Sequence, residues 1–162
     1  MENHEEKKQP KYKPADWITG KSGDIDVAPG SFGRLPYIKT LEDVDYVVVG
    51  IPFDTLASNR LGTRFGPKAI REAYGSINYV YGTDVYPDEI LSGVDYGDID
   101  VINGDTKQSF EKITEEIKKI LEAGVTPVVL GGDHSITYPE LLAYRDVYGP
   151  VSLIDFDAHT DT

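Results

Sequence analysis

Residues 109–130 read SFEKITEEIKKILEAGVTPVVL, and two periods meet in them. Phe110, Ile113, Ile117, Ile120 and Leu121 recur at steps of three and four, with Glu and Lys filling the gaps, so Ser109 to Ala123 reads as a helix with one buried face. Gly124 stops it, and Val125 to Leu130 is a short apolar run of strand length. Toward the C-terminus, Pro139 to Tyr148 reads as a second helix, Gly149-Pro150 as a turn, and Val151 to Phe156 as another strand. Toward the N-terminus, Tyr46 to Ile51 is a β-branched run ending in the turn Pro52-Phe53-Asp54, and Gly66-Pro67 opens a helix with proline in its first turn. A further short strand is read around Gly93 to Asp98. Strands alternating with helices predict an α/β domain with a mostly parallel sheet.

The rest of the chain falls outside that alternation. Residues 1–14 are charged and poor in branched apolar groups and read as a mobile tail, with His4 remote from any site. Residues 15–40, rich in Gly and Asp without a sustained period, read as an extended arm laid against something else. Residues 41–162 form the α/β body.

At 162 residues with 40% hydrophobic content the chain can hold one core. It has no cysteine, so disulfides and thiolate ligands are excluded, and His and carboxylates are left as metal ligands. A net charge of −12 argues against a nucleic-acid partner and suits a cationic small molecule, although acidity also serves solubility. No apolar stretch approaches the roughly 20 residues that span a bilayer, and the charges of residues 1–8 precede no apolar core, so a cytoplasmic protein is expected.

The chemistry gathers at two strand ends. Asp157, His159 and Asp161 lie two positions apart at the close of the run 151–156, so an extended backbone would project all three to one side. Two carboxylates and an imidazole suit a divalent first-row cation; manganese, cobalt, nickel and zinc all fit. Gly131-Gly132-Asp133-His134-Ser135 brings a second imidazole to the end of the preceding strand. Functional groups in open α/β sheets collect beyond the carboxyl ends of the strands, and one helix joins these two strands, which places His134 within reach of the other three. A carboxylate has two oxygens and can bridge two cations, so the set can begin a paired-metal site. Asp133 is read as a capping or outer acceptor because it adjoins His134, and Asp155, one step deeper than Asp157, as an outer-sphere group. A phosphate-binding loop at 131–135 is disfavoured, since no lysine follows the glycines.

These blocks, with Gly50-Ile51-Pro52-Phe53-Asp54 and Asn59-Arg60-Leu61-Gly62-Thr63-Arg64-Phe65-Gly66-Pro67, resemble the ureohydrolases, the arginase and agmatinase family, from about Phe32 onward. The Gly62 to Pro67 stretch favours the agmatinase branch. The resemblance implies a three-layer α/β/α sandwich and a homotrimer or homohexamer. It also implies two manganese ions, one held by His134, Asp157 and Asp161, the other by His159 and a bridging Asp157. The implied reaction is hydrolysis of a guanidino compound to urea and an amine, with agmatine the leading substrate and guanidinobutyrate, formiminoglutamate, free guanidine and arginine as alternatives.

The family's second aspartate pair and its proton-transfer residues lie downstream of the position matching Thr162. The catalytic residues are therefore expected outside this chain, and residues 1–162 alone are expected to be of doubtful activity, aggregation-prone and weak in metal binding. The competing expectation is a non-catalytic metal-binding or interaction subunit.

Overall fold

The computed structural model describes residues 9–16, 18–75 and 80–159. In chain order the elements are β1 (Lys21–Ser22), β2 (Ile25–Asp26), β3 (Tyr46–Gly50), α1 (Gly66–Ala73), α2 (Pro87–Ile90), β4 (Gly93–Asp98), α3 (Thr106–Glu122), β5 (Thr126–Leu130) and α4 (Thr137–Tyr148). Short 3-10 turns occupy Phe32–Arg34, Thr63–Phe65 and His134–Ile136. β3, β4 and β5 form a parallel sheet in the order β4-β3-β5, with Tyr46 opposite Thr126 and Gly50 opposite Leu130. The two-residue strands β1 and β2 pair antiparallel, apart from that sheet.

Alternation along the strands sorts the core. Val47, Val49 and Val94 face Ile113, Ile117, Ile120 and Leu121 of α3 and Ala143 of α4, and this is the main apolar cluster. α3 starts three residues earlier than its apolar period announces. The Asp105 carboxylate accepts from the Gln108 backbone N–H at 2.9 Å, capping the helix in a Thr-Lys-Gln turn that carries no apolar residue.

On the opposite face Val48 packs with Leu35 and Leu130, and α1 crosses nearby. Helices on both sides of a parallel sheet make the beginnings of a three-layer α/β/α sandwich. The second face is only partly covered, and Val128 remains 42% exposed.

A buried acid sits in the middle of β4. Asp95 is fully buried, opposite Val48, and both its oxygens are occupied: Oδ2 accepts from the Phe32 N–H and Arg71 Nε, each at 2.8 Å, and Oδ1 from Arg71 Nη2 and the Gly97 N–H, each at 3.0 Å. Arg71 also donates to Asp98 Oδ1 at 2.6 Å and to the Gly97 carbonyl at 3.1 Å, bolting α1 to the strand. A bulge inserts Tyr96 against the β3 register. It depends on Gly97, whose φ of +80° suits glycine and whose missing Cβ leaves room for the Tyr37 hydroxyl.

Two sequence expectations need correction. The tail read over residues 1–14 does not hold for residues 9–14: Tyr12 is buried in the main cluster, donates its N–H to Ser92 Oγ and accepts from the Gly93 N–H with its carbonyl. One aromatic ring among charged neighbours found a core position, which composition alone does not report. His4 lies outside the described residues. The strand read over Val151–Phe156 is likewise not formed. Residues 151–157 run without ladder bonds, and Leu153, Ile154 and Phe156 are 57, 79 and 97% exposed. Among the described residues nothing pairs with that segment, and a strand exists only by exchanging hydrogen bonds with a neighbour.

The arm over 15–40 lies against the outer edge of β4. The Pro36 carbonyl accepts from the Asp95 N–H at 2.9 Å, and Ile38 N–H donates to the Asp95 carbonyl at 3.1 Å. That pairing covers an otherwise open sheet edge. Among the described residues no helix is long and apolar enough to cross a membrane.

Candidate metal centre

β5 runs out at Leu130 into two glycines, and packing dictates the second of them. A Cβ at Gly132 would collide with the Phe53 carbonyl oxygen, so the loop can lie flush against the extension of β3 only without a side chain there. Asp133 then makes the join: its N–H donates to the Phe53 carbonyl at 2.8 Å, and its Oδ2 accepts from the Leu56 N–H at 3.0 Å. Oδ1 accepts from the Ser135 N–H at 3.0 Å and from the Ser135 hydroxyl, capping the turn that begins at His134. Asp133 is thus the capping group expected from the sequence. It fixes the backbone on which His134 is presented and spends both oxygens doing so.

His134 projects from the carboxyl end of β5 with its side chain 43% exposed. Its Nδ1 lies 3.3 Å from Asp157 Oδ2. The other oxygen of Asp157 accepts from the His159 backbone N–H at 2.8 Å and lies 2.9 Å from His159 Nδ1. The His159 N–H first, and then the two imidazoles, hold the Asp157 carboxyl below its ordinary range. One carboxylate therefore stands between two imidazoles, one at each oxygen. Asp155 comes to the same place: one ligand atom each from His134, Asp155 and Asp157 lie within 4.8 Å of one another. Asp161, the remaining residue of the expected set, lies outside the described residues.

The donors fit a hard divalent ion. Cis ligands at about 2.1 Å from an octahedral centre stand about 3.0 Å apart, close to the separation of His134 Nδ1 and Asp157 Oδ2. The sequence reading placed Asp157 at the end of a paired strand. A segment without ladder bonds carries Asp157 to His134.

A second feature escaped the sequence reading. Asp54, fully buried where β3 gives way to its loop, accepts from the Gly62 N–H at 2.7 Å and pairs with the Arg64 guanidinium through Nε at 2.6 Å and through Nη2. Arg64 Nη1 reaches Asn103 Oδ1 at 3.4 Å. The exposed loop between Asp54 and Arg64 is thereby closed at its base, and its Leu56 N–H is tied to Asp133 beside His134. An acid and a base bracketing a glycine-containing loop was the available signal.

The Arg64 side chain, chiefly, pulls the Asp54 carboxyl down to about 2. A carboxyl depressed on folding stabilises the folded state above its unfolded value near 4, and that contribution disappears as pH falls through about 2. Thermal melts from pH 5 to pH 2 should therefore show a wild-type decline between about pH 4 and pH 2 that is shallower in Asp54→Asn. Parallel curves for the two proteins would contradict the clamp.

Comparison with known proteins supplies an independent line. The family profile described as "Arginase family" matches residues 44–162. A chicken protein named "Agmatinase, mitochondrial" is 45% identical over 130 residues, covering 80% of this chain and 38% of the relative. A human protein named "Guanidino acid hydrolase, mitochondrial" is 44% identical over 135 residues, covering 82% of this chain and 38% of the relative. A crystal structure described as a hypothetical agmatinase from Burkholderia thailandensis superposes with a TM-score of 0.75 at 40% identity, covering 80% of this chain and 42% of that one. The chain thus spans less than half the length of these relatives.

Proposed function

This chain belongs to the arginase family, and on that premise we propose that it carries the first metal ligands of a dinuclear amidinohydrolase that releases urea from a guanidino compound, agmatine foremost. The observation that carries the reading is the Asp157 carboxylate with His134 at one oxygen and His159 at the other, the disposition a bridging ligand needs. His134, Asp157 and Asp161 would hold one cation and His159 with Asp157 the other. Manganese is the favoured ion, since carboxylate and imidazole ligands with open positions suit it. When bound, such a pair makes water acidic enough to act as a nucleophile near neutral pH.

The protein's own residues have definite tasks in this scheme. Asp157, held below its ordinary pKa, stays ionised through the neutral range and so remains a ligand. Asp133 and Ser135 fix the turn that aims His134. A guanidinium carbon is a poor electrophile because its charge is delocalised, so attack by water and expulsion of the amine call for nearby carboxylates that hold the guanidinium nitrogens. Those residues and the proton donor to the departing amine belong to the part of the domain that the relatives carry beyond the matched region. A homotrimer or homohexamer is the assembly we propose with it.

One specific observation supports a second substrate. The guanidino acid hydrolase is as close in sequence as the agmatinase, so a guanidino acid such as guanidinobutyrate is the alternative. Urea release by the manganese-loaded protein at native length, assayed against agmatine, guanidinobutyrate, formiminoglutamate, guanidine and arginine, tests both. Turnover of agmatine above the rest is expected; no urea from any of them, with metal occupancy confirmed, would overturn the hydrolase reading.

A further inference from the structure

We infer that Asn103 is a site of spontaneous covalent modification: its side-chain amide is lost as ammonia through a cyclic imide formed with the Gly104 backbone nitrogen. The bond that forms joins that nitrogen to Cγ of Asn103. The bond that breaks is Cγ to the amide nitrogen, which leaves with the proton that the Gly104 nitrogen gives up. Water then opens the ring at either carbonyl, giving aspartate or isoaspartate.

The sequence supplies the pair. Asn3, Asn59, Asn78 and Asn103 are followed by His4, Arg60, Tyr79 and Gly104. Only after Asn103 does the attacking nitrogen belong to a residue without a side chain, so its approach is unhindered there.

The fold leaves that nitrogen free and anchors the backbone around it. Asn103 and Gly104 are both exposed at the centre of a turn that the Asp105 N–H closes on the Ile102 carbonyl at 3.0 Å. Gly104 has a φ of +82°, with nothing within 4 Å of where a Cβ would stand, and its N–H has no partner among the described residues. On one side the Ile102 N–H donates to Ser109 Oγ at 2.9 Å; on the other Asp105 caps α3 through the Gln108 N–H. A positive φ at the third position of a turn goes with an extended second residue, so the peptide between Asn103 and Gly104 must swing before the nitrogen meets Cγ. That swing breaks one backbone hydrogen bond and slows the reaction by about tenfold at most. Both anchors survive it, and the turn between them can absorb the longer backbone of isoaspartate.

The Asn103 amide oxygen stands 3.4 Å from Arg64 Nη1. The aspartate product therefore sets a second acid beside the guanidinium that clamps Asp54, and its new charge meets a cation.

Incubation of the purified protein at native length in mildly alkaline buffer, followed by peptide mass spectrometry, tests this. Asn103 should lose its amide at least about fivefold faster than Asn59, which is exposed too but precedes an arginine. Isoaspartate should accompany aspartate, and the rate should climb with pH because the Gly104 nitrogen must give up its proton. Gly104→Ala, which puts a methyl group on the attacking residue, should slow the loss by about tenfold or more. Asn103→Gln, where attack would need a larger ring, should keep its amide, with far-ultraviolet circular dichroism unchanged because the side chain is exposed. Equal rates at Asn103 and Asn59, aspartate without isoaspartate, or undiminished loss in Gly104→Ala would each overturn the inference. So would an intact Asn103 in the protein under conditions that convert a free peptide of residues 99–108.

Discussion

Asp157→Ala is expected to abolish urea release from the manganese-loaded protein at native length, by about a thousandfold or more. The carboxylate has an imidazole at each oxygen, so its removal takes a donor from both proposed cation positions at once. Metal ions contribute several kcal/mol to such reactions, and each 1.36 kcal/mol is a factor of ten in rate, which sets the scale of the loss. His159→Asn touches one position only and should cost less, with the loss partly recovered at saturating manganese. Neither side chain belongs to the apolar core, so the metal-free variants should melt close to the metal-free wild type. Equal losses in the two variants at saturating manganese would argue against bridging, and undiminished turnover in Asp157→Ala would remove the metal centre from this position altogether.

The second large effect concerns folding. Asp95→Ala leaves the Arg71 guanidinium with the half-exposed Asp98 as its one carboxylate partner, beside the Gly97 carbonyl, and leaves an almost wholly buried charge without its buried counter-ion. Breaking a buried ion pair from one side destabilises by about 3–5 kcal/mol. For a domain of this size that corresponds to a fall in melting temperature of roughly 6–20 °C. The Phe32 and Gly97 N–H groups lose their acceptor in the same step, so the arm and the bulge should loosen together, visible as faster amide exchange at both places. Replacing both members, as in Asp95→Leu with Arg71→Met, should recover much of the loss, since apolar groups of similar volume leave no charge unpaired. Single variants that melt within about 2 °C of the wild type would show that the pair carries little of the stability.

The two sites differ in how much of them the sequence disclosed. His134 and His159 stand one at each oxygen of Asp157; His159 is two residues away along the chain, and His134 follows the end of a strongly patterned strand. Arg71 and Asp95 lie 24 residues apart on two different elements, and an acid inside a strand pattern offers no hint of where its partner lies. Asp155 had the parity of a ligand, yet its depth in an assumed strand suggested an outer position.

Local periodicity determined the helix from Ser109 onward, the strands beginning at Tyr46 and Thr126, and the α/β class, because a helix or strand that buries one face must repeat its apolar residues at its own period. Motif chemistry determined the ureohydrolase resemblance, because glycines, acids and imidazoles at those spacings answer to backbone and ligand geometry over a few residues. Tertiary structure alone decided that Tyr12 joins the core, that Arg71 meets Asp95, that Asp54 closes its loop through Arg64, and that residues 151–157 meet no neighbouring strand among the described residues. Each of those depends on what a residue meets across space, and a strand-like pattern without a neighbour has no hydrogen bonds to make it a strand.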